Sequence, residues 1–267
     1  MKSALMSFMT AALVGLILTS CGSVPLTGRR QMLLVSDQEV YQAGLTQYKE
    51  YMGSAEISKD AKTTAMVKSV GKKLADATEK YLRANGFESE IPNLQWEFNL
   101  VKNNEVNAFC LPGGKIVVYE GLFAVASNEA ELAVVLGHEI GHAVAKHSNE
   151  RMSQQILTQY GAAILQQALS QKSAAVQTVA VNVFGLGAQM GVMLPYSRKH
   201  EYEADYMGIV FMELAGYDSQ SAVDFWTKMS GGGSNASDFL STHPSDSKRI
   251  AQIKARMPEA KQIARNL

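Results

Sequence analysis

The sequence predicts an α+β domain, mainly helical, with a small antiparallel sheet in its first half. Short alternating and apolar runs between residues 94 and 119 read as strands, and from Asn128 the apolar spacing is helical almost to the end. With 267 residues, 46% hydrophobic and 19% charged, the chain has a globular composition and enough length for a sizeable core. Its 25 basic residues balance 25 acidic ones, without the basic footprint of a nucleic-acid binder. No nucleic-acid partner is expected.

The first element is a leader. Lys2 supplies a positive start, and Ala4 to Leu18 is an apolar stretch too short for a comfortable membrane span. Leu18-Thr19-Ser20-Cys21 then resembles a bacterial lipobox, where cleavage leaves Cys21 as the lipid-bearing first residue. The alternative is an ordinary signal peptide with an incidental cysteine. The expected organisation is a signal peptide over 1–20, a tether over 21–35 with Pro25 and Gly28, and the folded domain over 36–267. With Cys21 lipidated, Cys110 has no disulfide partner. Its setting, Ala108-Phe109-Cys110-Leu111, reads as a small buried side chain rather than a nucleophile.

Ser36 and Glu39 have the spacing of a capping box and start a helix. A second helix runs from about Asp60 to Arg83, with apolar residues at helical intervals, and Asn85-Gly86 ends it. Leu94 to Leu100 alternates apolar and polar as a half-buried strand does. Val106–Leu111 and Ile116–Tyr119 flank Pro112-Gly113-Gly114, which reads as a hairpin turn. Residues 152–195 carry one charge, Lys172, and read as a pair of core helices or, more sharply, as a mobile lid over the site. Gln177, Asn182 and Gln189 interrupt the apolar run from Ser173 to Pro195, so it is not read as a transmembrane span.

The chemistry concentrates in NEAELAVVLGHEIGHAVAKH, residues 128–147. Four helical residues turn roughly 400°, so His138 and His142 stand about 40° apart on one face and can grip one metal ion. Neutral imidazoles suit zinc, and Glu139 borders that face, in reach of a water as general base. Alone, this pattern could equally be two ordinary histidines. A third ligand is needed. His147 lies nine residues past His138, about 900° along a continuous helix and so opposite it. It reads as an exposed helix-end residue. In Ser197–Asp205 (SRKHEYEAD), Glu201 and Asp205 form an i, i+4 pair on one face, while Glu203 points to the far side. A carboxylate there can complete a His₂Glu site, and a second acid one turn on can orient a ligand histidine. Taken by itself, this stretch would be a solvated charged face.

Together these segments resemble the HtpX/BepA/LoiP-like zinc metallopeptidase family, gluzincins that combine HExxH with a downstream ExxAD. The matching stretches are PLTGRRQMLLVS (25–36), NAFCLPGGKIVVYEGL (107–122), the HEIGH helix, SRKHEYEADYMG (197–208) and STHPSDSKRI (241–250). The resemblance implies a zincin-type metallopeptidase domain over 36–267 with one zinc ion per chain. It implies His138, His142 and Glu201 as ligands, Glu139 as catalytic base, and Asp205 as proton donor or orienter of a ligand. It also places His243 near the site, as a fourth ligand that blocks the resting enzyme or a donor to the oxyanion. The alternative is a histidine that packs the last helix. Asn107, Ala108 and Phe109 are expected to offer a strand edge to an extended substrate. The substrates implied are unfolded, misfolded or misassembled envelope polypeptides, met from a lipid anchor on the periplasmic side of a bacterial membrane, outer rather than inner. The competing reading is a chaperone-like binder or assembly factor with little proteolysis.

Overall fold

The computed structural model describes residues 21–170, 197–230, 237–243 and 247–267. The leader, most of the uncharged stretch and the residues right after His243 therefore lie outside the described residues. No described helix is long and apolar enough to cross a membrane.

Two short strands, β1 (Cys21–Ser23) and β2 (Arg30–Met32), form an antiparallel hairpin. Within this stretch, Val24 is fully buried and Gln31 nearly so. Helix α1 (Asp37–Ser54) opens with the expected capping box, Ser36 and Glu39 each bonding the other's backbone N–H. Helix α2 (Ala61–Ala84) is capped by Asp60 and stops at Asn85-Gly86. Its buried residues Val67, Val70, Leu74, Ala77 and Leu82 follow the helical spacing read from the sequence.

Strands β3 (Glu97–Val101), β4 (Ala108–Leu111) and β5 (Lys115–Tyr119) make one sheet in the order β3-β5-β4. β4 and β5 are the expected antiparallel hairpin, with Gly113 and Gly114 at φ +88° and +77°, a conformation that glycine adopts without strain. β3 joins the other side of β5 in parallel, so the sheet is mixed. β5 is buried along its whole length, as a central strand with both neighbours paired should be, and β4 lies at an edge.

The helical layer follows. α3 (Glu129–Val144) is capped by Asn128, and nearly every residue from Leu132 onward is buried. α4 (His147–Ser170), α5 (Arg198–Leu214), α6 (Gln220–Ser230), α7 (Ser237–Thr242) and α8 (Ser247–Asn266) complete the described chain. α3 and α5 cross with their backbones almost touching. A Cβ on Gly141 would lie 2.7 Å from the Ala204 carbonyl oxygen, and one on Gly137 3.1 Å from that of Gly208. Small residues at the crossing thus bring the HExxH helix against the ExxAD helix. That contact builds the site.

Candidate metal centre

α3 contributes His138, Glu139 and His142, and α5 contributes Glu201 and Asp205. All five are buried, with exposures of 4% or less. The i, i+4 spacing puts both imidazoles on one side: His138 Nε2 and His142 Nε2 are 3.0 Å apart. Glu201 faces both, with Oε2 3.3 Å from His138 Nε2 and Oε1 3.3 Å from His142 Nε2. His243, just past α7, brings Nδ1 to 3.1 Å from His138 Nε2 and 3.3 Å from Glu201 Oε2. One ligand atom from each of His138, His142, Glu201 and His243 lies within 4.8 Å of all the others.

The donor set fits a zinc ion. Tetrahedral bonds of about 2.0–2.1 Å put neighbouring ligand atoms about 3.3 Å apart, close to the spacings found. Glu201 Oε1 and Glu139 Oε1 are buried oxygens without a hydrogen-bond partner, a costly arrangement in the absence of a cation. The charge balance agrees. Ionised Glu139, Glu201 and Asp205 outnumber the guanidinium packed against them, Arg249, by two. Although burial opposes it, the charge of Glu201 and the Asp205 contact pull the His138 imidazole up to about 9, a sign that positive charge is favoured at this point.

Each ligand nitrogen has its other ring atom engaged. His138 Nδ1 lies 2.9 Å from Asp205 Oδ1. Asp205 in turn accepts two bonds from Arg249, Nε to Oδ2 at 2.5 Å and Nη2 to Oδ1 at 2.8 Å. Arg249 is fully buried and its guanidinium lies over the Trp226 ring, 3.4 Å from the centroid. Burial opposes ionisation of Asp205, but the charge of Arg249 outweighs it and holds the carboxyl below the usual range. Glu139 behaves differently: burial pushes its carboxyl up, towards the proton affinity a base needs. The nearby Cys110 backbone opposes part of that rise, and the edge strand β4 packs against α3 and so borders the site. Cys110 itself is a buried free cysteine whose thiol burial pushes well up, in keeping with a packing role.

The structure corrects one expectation. His147 is not an exposed helix-end residue; it is fully buried, with Nδ1 2.8 Å from His142 Nδ1. The extrapolation assumed one continuous helix. α3 stops at Val144, Lys146 takes a left-handed φ of +56°, and His147 begins a new helix that turns back on the site. Nothing in residue spacing announces that break, since Lys146 is not a glycine. Glu203 does face away from the metal ligands, as read. It is nonetheless buried, against His147, Arg29 and Thr27. Sequence reasoning gave no role to Arg249 or Trp226. The only hint was position, for Arg249 lies in STHPSDSKRI, one of the stretches that carry the family resemblance.

A buried HExxH helix crossed by a carboxylate helix, with a strand edge beside it, defines a metallopeptidase-type centre. The chain belongs to Peptidase family M48, whose model matches residues 62–257, and its cofactor is zinc. It is 39% identical over 193 residues to the mitochondrial metalloendopeptidase OMA1 of Arabidopsis thaliana, covering 71% of this chain and 38% of that protein. To the OMA1 of Schizosaccharomyces pombe it is 36% identical over 182 residues, 64% of this chain and 50% of the relative. The β-barrel assembly-enhancing protease of Escherichia coli K12 aligns over 247 residues at 29% identity, 89% of this chain and 47% of its own length. The chain thus spans half or less of the length of these relatives.

Proposed function

We propose that the chain is a membrane-tethered zinc endopeptidase that hydrolyses peptide bonds in misfolded or misassembled envelope proteins. The observation that carries this reading is the convergence of His138, His142 and Glu201 beside Glu139 and the edge of β4. Zinc held by His138, His142 and Glu201 would polarise the scissile carbonyl and lower the pKa of a bound water to about 7. Glu139 takes the proton of the attacking water and returns it to the leaving amine. Its burial-raised proton affinity suits both transfers. Asp205 fixes the His138 ring through Nδ1. An extended substrate lies along Asn107, Ala108 and Phe109, where main-chain pairing accepts many sequences.

His243 is read as a gate. It stands against His138 and Glu201, and its Nε2 is 3.4 Å from Glu139 Oε1, so in this position it occupies the place of a substrate carbonyl. Phe239 stacks on it at 4.6 Å between centroids, which ties the gate to α7. Swung aside, the same ring could donate to the oxyanion. Cys21 as the lipid-bearing residue supplies the tether, and the leader before it favours the bacterial envelope, outer membrane side, over a mitochondrial setting. The relative named for β-barrel assembly is in keeping with that choice.

The test is degradation of denatured envelope proteins by the zinc-loaded chain, with and without chelator, and by Glu139→Gln. Cleavage that stops with chelator and falls about 10³-fold in Glu139→Gln, with zinc retained, is expected. Binding of the same clients without chelator-sensitive cleavage would make the chain a chaperone-like binder instead. His243→Ala should raise basal cleavage if the gate reading holds.

A further inference from the structure

The second ligand histidine has its own support, and it runs through an extra imidazole. We propose that His147 and Glu203 are positioning residues for His142, held in place by Thr27 and Arg29 of the N-terminal hairpin. This rests on the reading of His142 as a zinc ligand. With Nε2 turned toward His138 and Glu201, His142 must carry its proton on Nδ1 to coordinate through Nε2. Nδ1–H then donates to His147 Nδ1 across 2.8 Å. His147, accepting at Nδ1, keeps its proton on Nε2 and donates it to Glu203 Oε2 at 3.0 Å. Each link fixes the tautomer of the one before.

The far end is anchored twice. Thr27 Oγ1 donates to Glu203 Oε1 at 2.5 Å, and Arg29 Nε donates to Oε2 at 2.7 Å. Arg29 spends its other nitrogens on Glu150, at 3.0 and 2.7 Å, so one guanidinium bridges α4 and α5. His200 completes the box, bonding Glu150 at 3.0 Å and stacking on His147 with centroids 4.3 Å apart. His142, His147 and Glu203 are all buried. The arrangement is the carboxylate–histidine–metal triad lengthened by one imidazole, and it reaches the chain segment next to Cys21. Such outer partners usually set metal affinity by 10- to 100-fold.

Zinc affinity by chelator competition, melting of the metal-free protein, and imidazole ¹⁵N NMR of the zinc-loaded chain test it together. Glu203→Ala and His147→Phe should each weaken zinc about 10- to 100-fold. The metal-free melting temperature should fall in Glu203→Ala, which leaves buried partners short of an acceptor, so affinities are compared at a temperature where every variant is folded. Glu203→Gln, which can still accept from His147, should recover much of the loss. Arg29→Ala should show a smaller loss of the same kind. In the wild type, NMR should find protons on His142 Nδ1 and His147 Nε2, with His147 Nδ1 bare. That readout needs no variant to fold. A proton on His147 Nδ1 overturns the proposal, as does wild-type zinc affinity in Glu203→Ala and His147→Phe. Zinc retained at full affinity by His142→Ala would instead remove the ligand reading beneath it.

Discussion

The two histidines of the HExxH motif are supported from opposite ends of the chain. His138 meets a carboxylate directly, Asp205, which is braced by Arg249 from the last helix. His142 meets a second histidine, and the carboxylate beyond it, Glu203, is braced by Arg29 from the first hairpin. Both carboxylates come from α5, two positions apart, and follow Glu201 within one turn. One helix therefore presents a ligand toward α3 and sends a brace to either side of it. The direct brace is short and made within the crossing of two helices. The indirect one depends on a helix break and on a segment more than a hundred residues away in sequence.

The largest effect should come from Glu201, the proposed ligand that both sides share. Glu201→Ala is expected to lower zinc occupancy far more than the loss of either brace, because it removes a bond to the metal rather than its orientation. Metal analysis after dialysis against a weak chelator checks it. Near-stoichiometric zinc in Glu201→Ala would mean that His243 or another group is the third ligand.

The difference between the braces also explains what could be read in advance. Helical period puts His138 and His142 on one face and Glu201 and Asp205 on another, and the family resemblance is what singles out the proposed ligands and the first brace among them. The hairpin at Pro112-Gly113-Gly114 and the caps at Ser36 and Asn128 are equally local, and all are found. His147 defeated the same arithmetic because Lys146 leaves the helix with a positive φ that its side chain does not advertise. The parallel pairing of β3 with β5, the burial of Val24 and the bond from Arg29 to α5 are decided by tertiary contacts for which no residue interval is diagnostic.

Next in size is Asp205→Asn. The amide keeps the shape but weakens the hold on the His138 Nδ1 proton and takes from buried Arg249 the closer of its carboxylate partners, Glu201 being 3.3 Å away. Zinc should bind about 10- to 100-fold more weakly. Unlike Glu203→Gln, this variant should also melt lower without metal, since a buried guanidinium loses its shortest ion pair. Isothermal zinc titration and metal-free melting curves measure the two. Equal behaviour of the two variants would erase the asymmetry between the braces.

Gly141→Ala tests the crossing itself and should touch both sides alike. The added methyl would sit 2.7 Å from the Ala204 carbonyl oxygen, so α3 and α5 must part by several tenths of an ångström. Overpacking of this kind costs about 1–3 kcal/mol. The expected result is a lower melting temperature in the metal-free and the loaded protein, together with weaker zinc binding. A variant as stable as the wild type would show that the helices yield there at little cost.

The smallest effect concerns pH and the brace of His142 alone. Burial opposes ionisation of Glu150, but hydrogen bonds from His200 and Arg29 and the charge of Arg29 hold its carboxyl down to about 2, against an ordinary value of 4.5. In that interval the unfolded chain binds the proton more readily than the folded one, so stability rises with pH. The contribution is complete above about 4.5 and is lost as pH falls towards 2. Glu150→Gln removes it. The variant should melt a few degrees lower than the wild type at pH 5 to 7, and the gap should narrow steadily below about 4.5. Thermal melts of both proteins without metal, over pH 3 to 7, measure the gap. A gap that stays constant through this range would mean that Glu150 acts by shape and not by charge, and that Arg29 draws its anchoring from Glu203 alone. The same melts on Asp205→Asn carry an internal check, because the ion pair with Arg249 belongs to the other brace and must be lost through its own carboxyl. Two separable acid-sensitive steps, one removed by each substitution, would follow if the braces are independent.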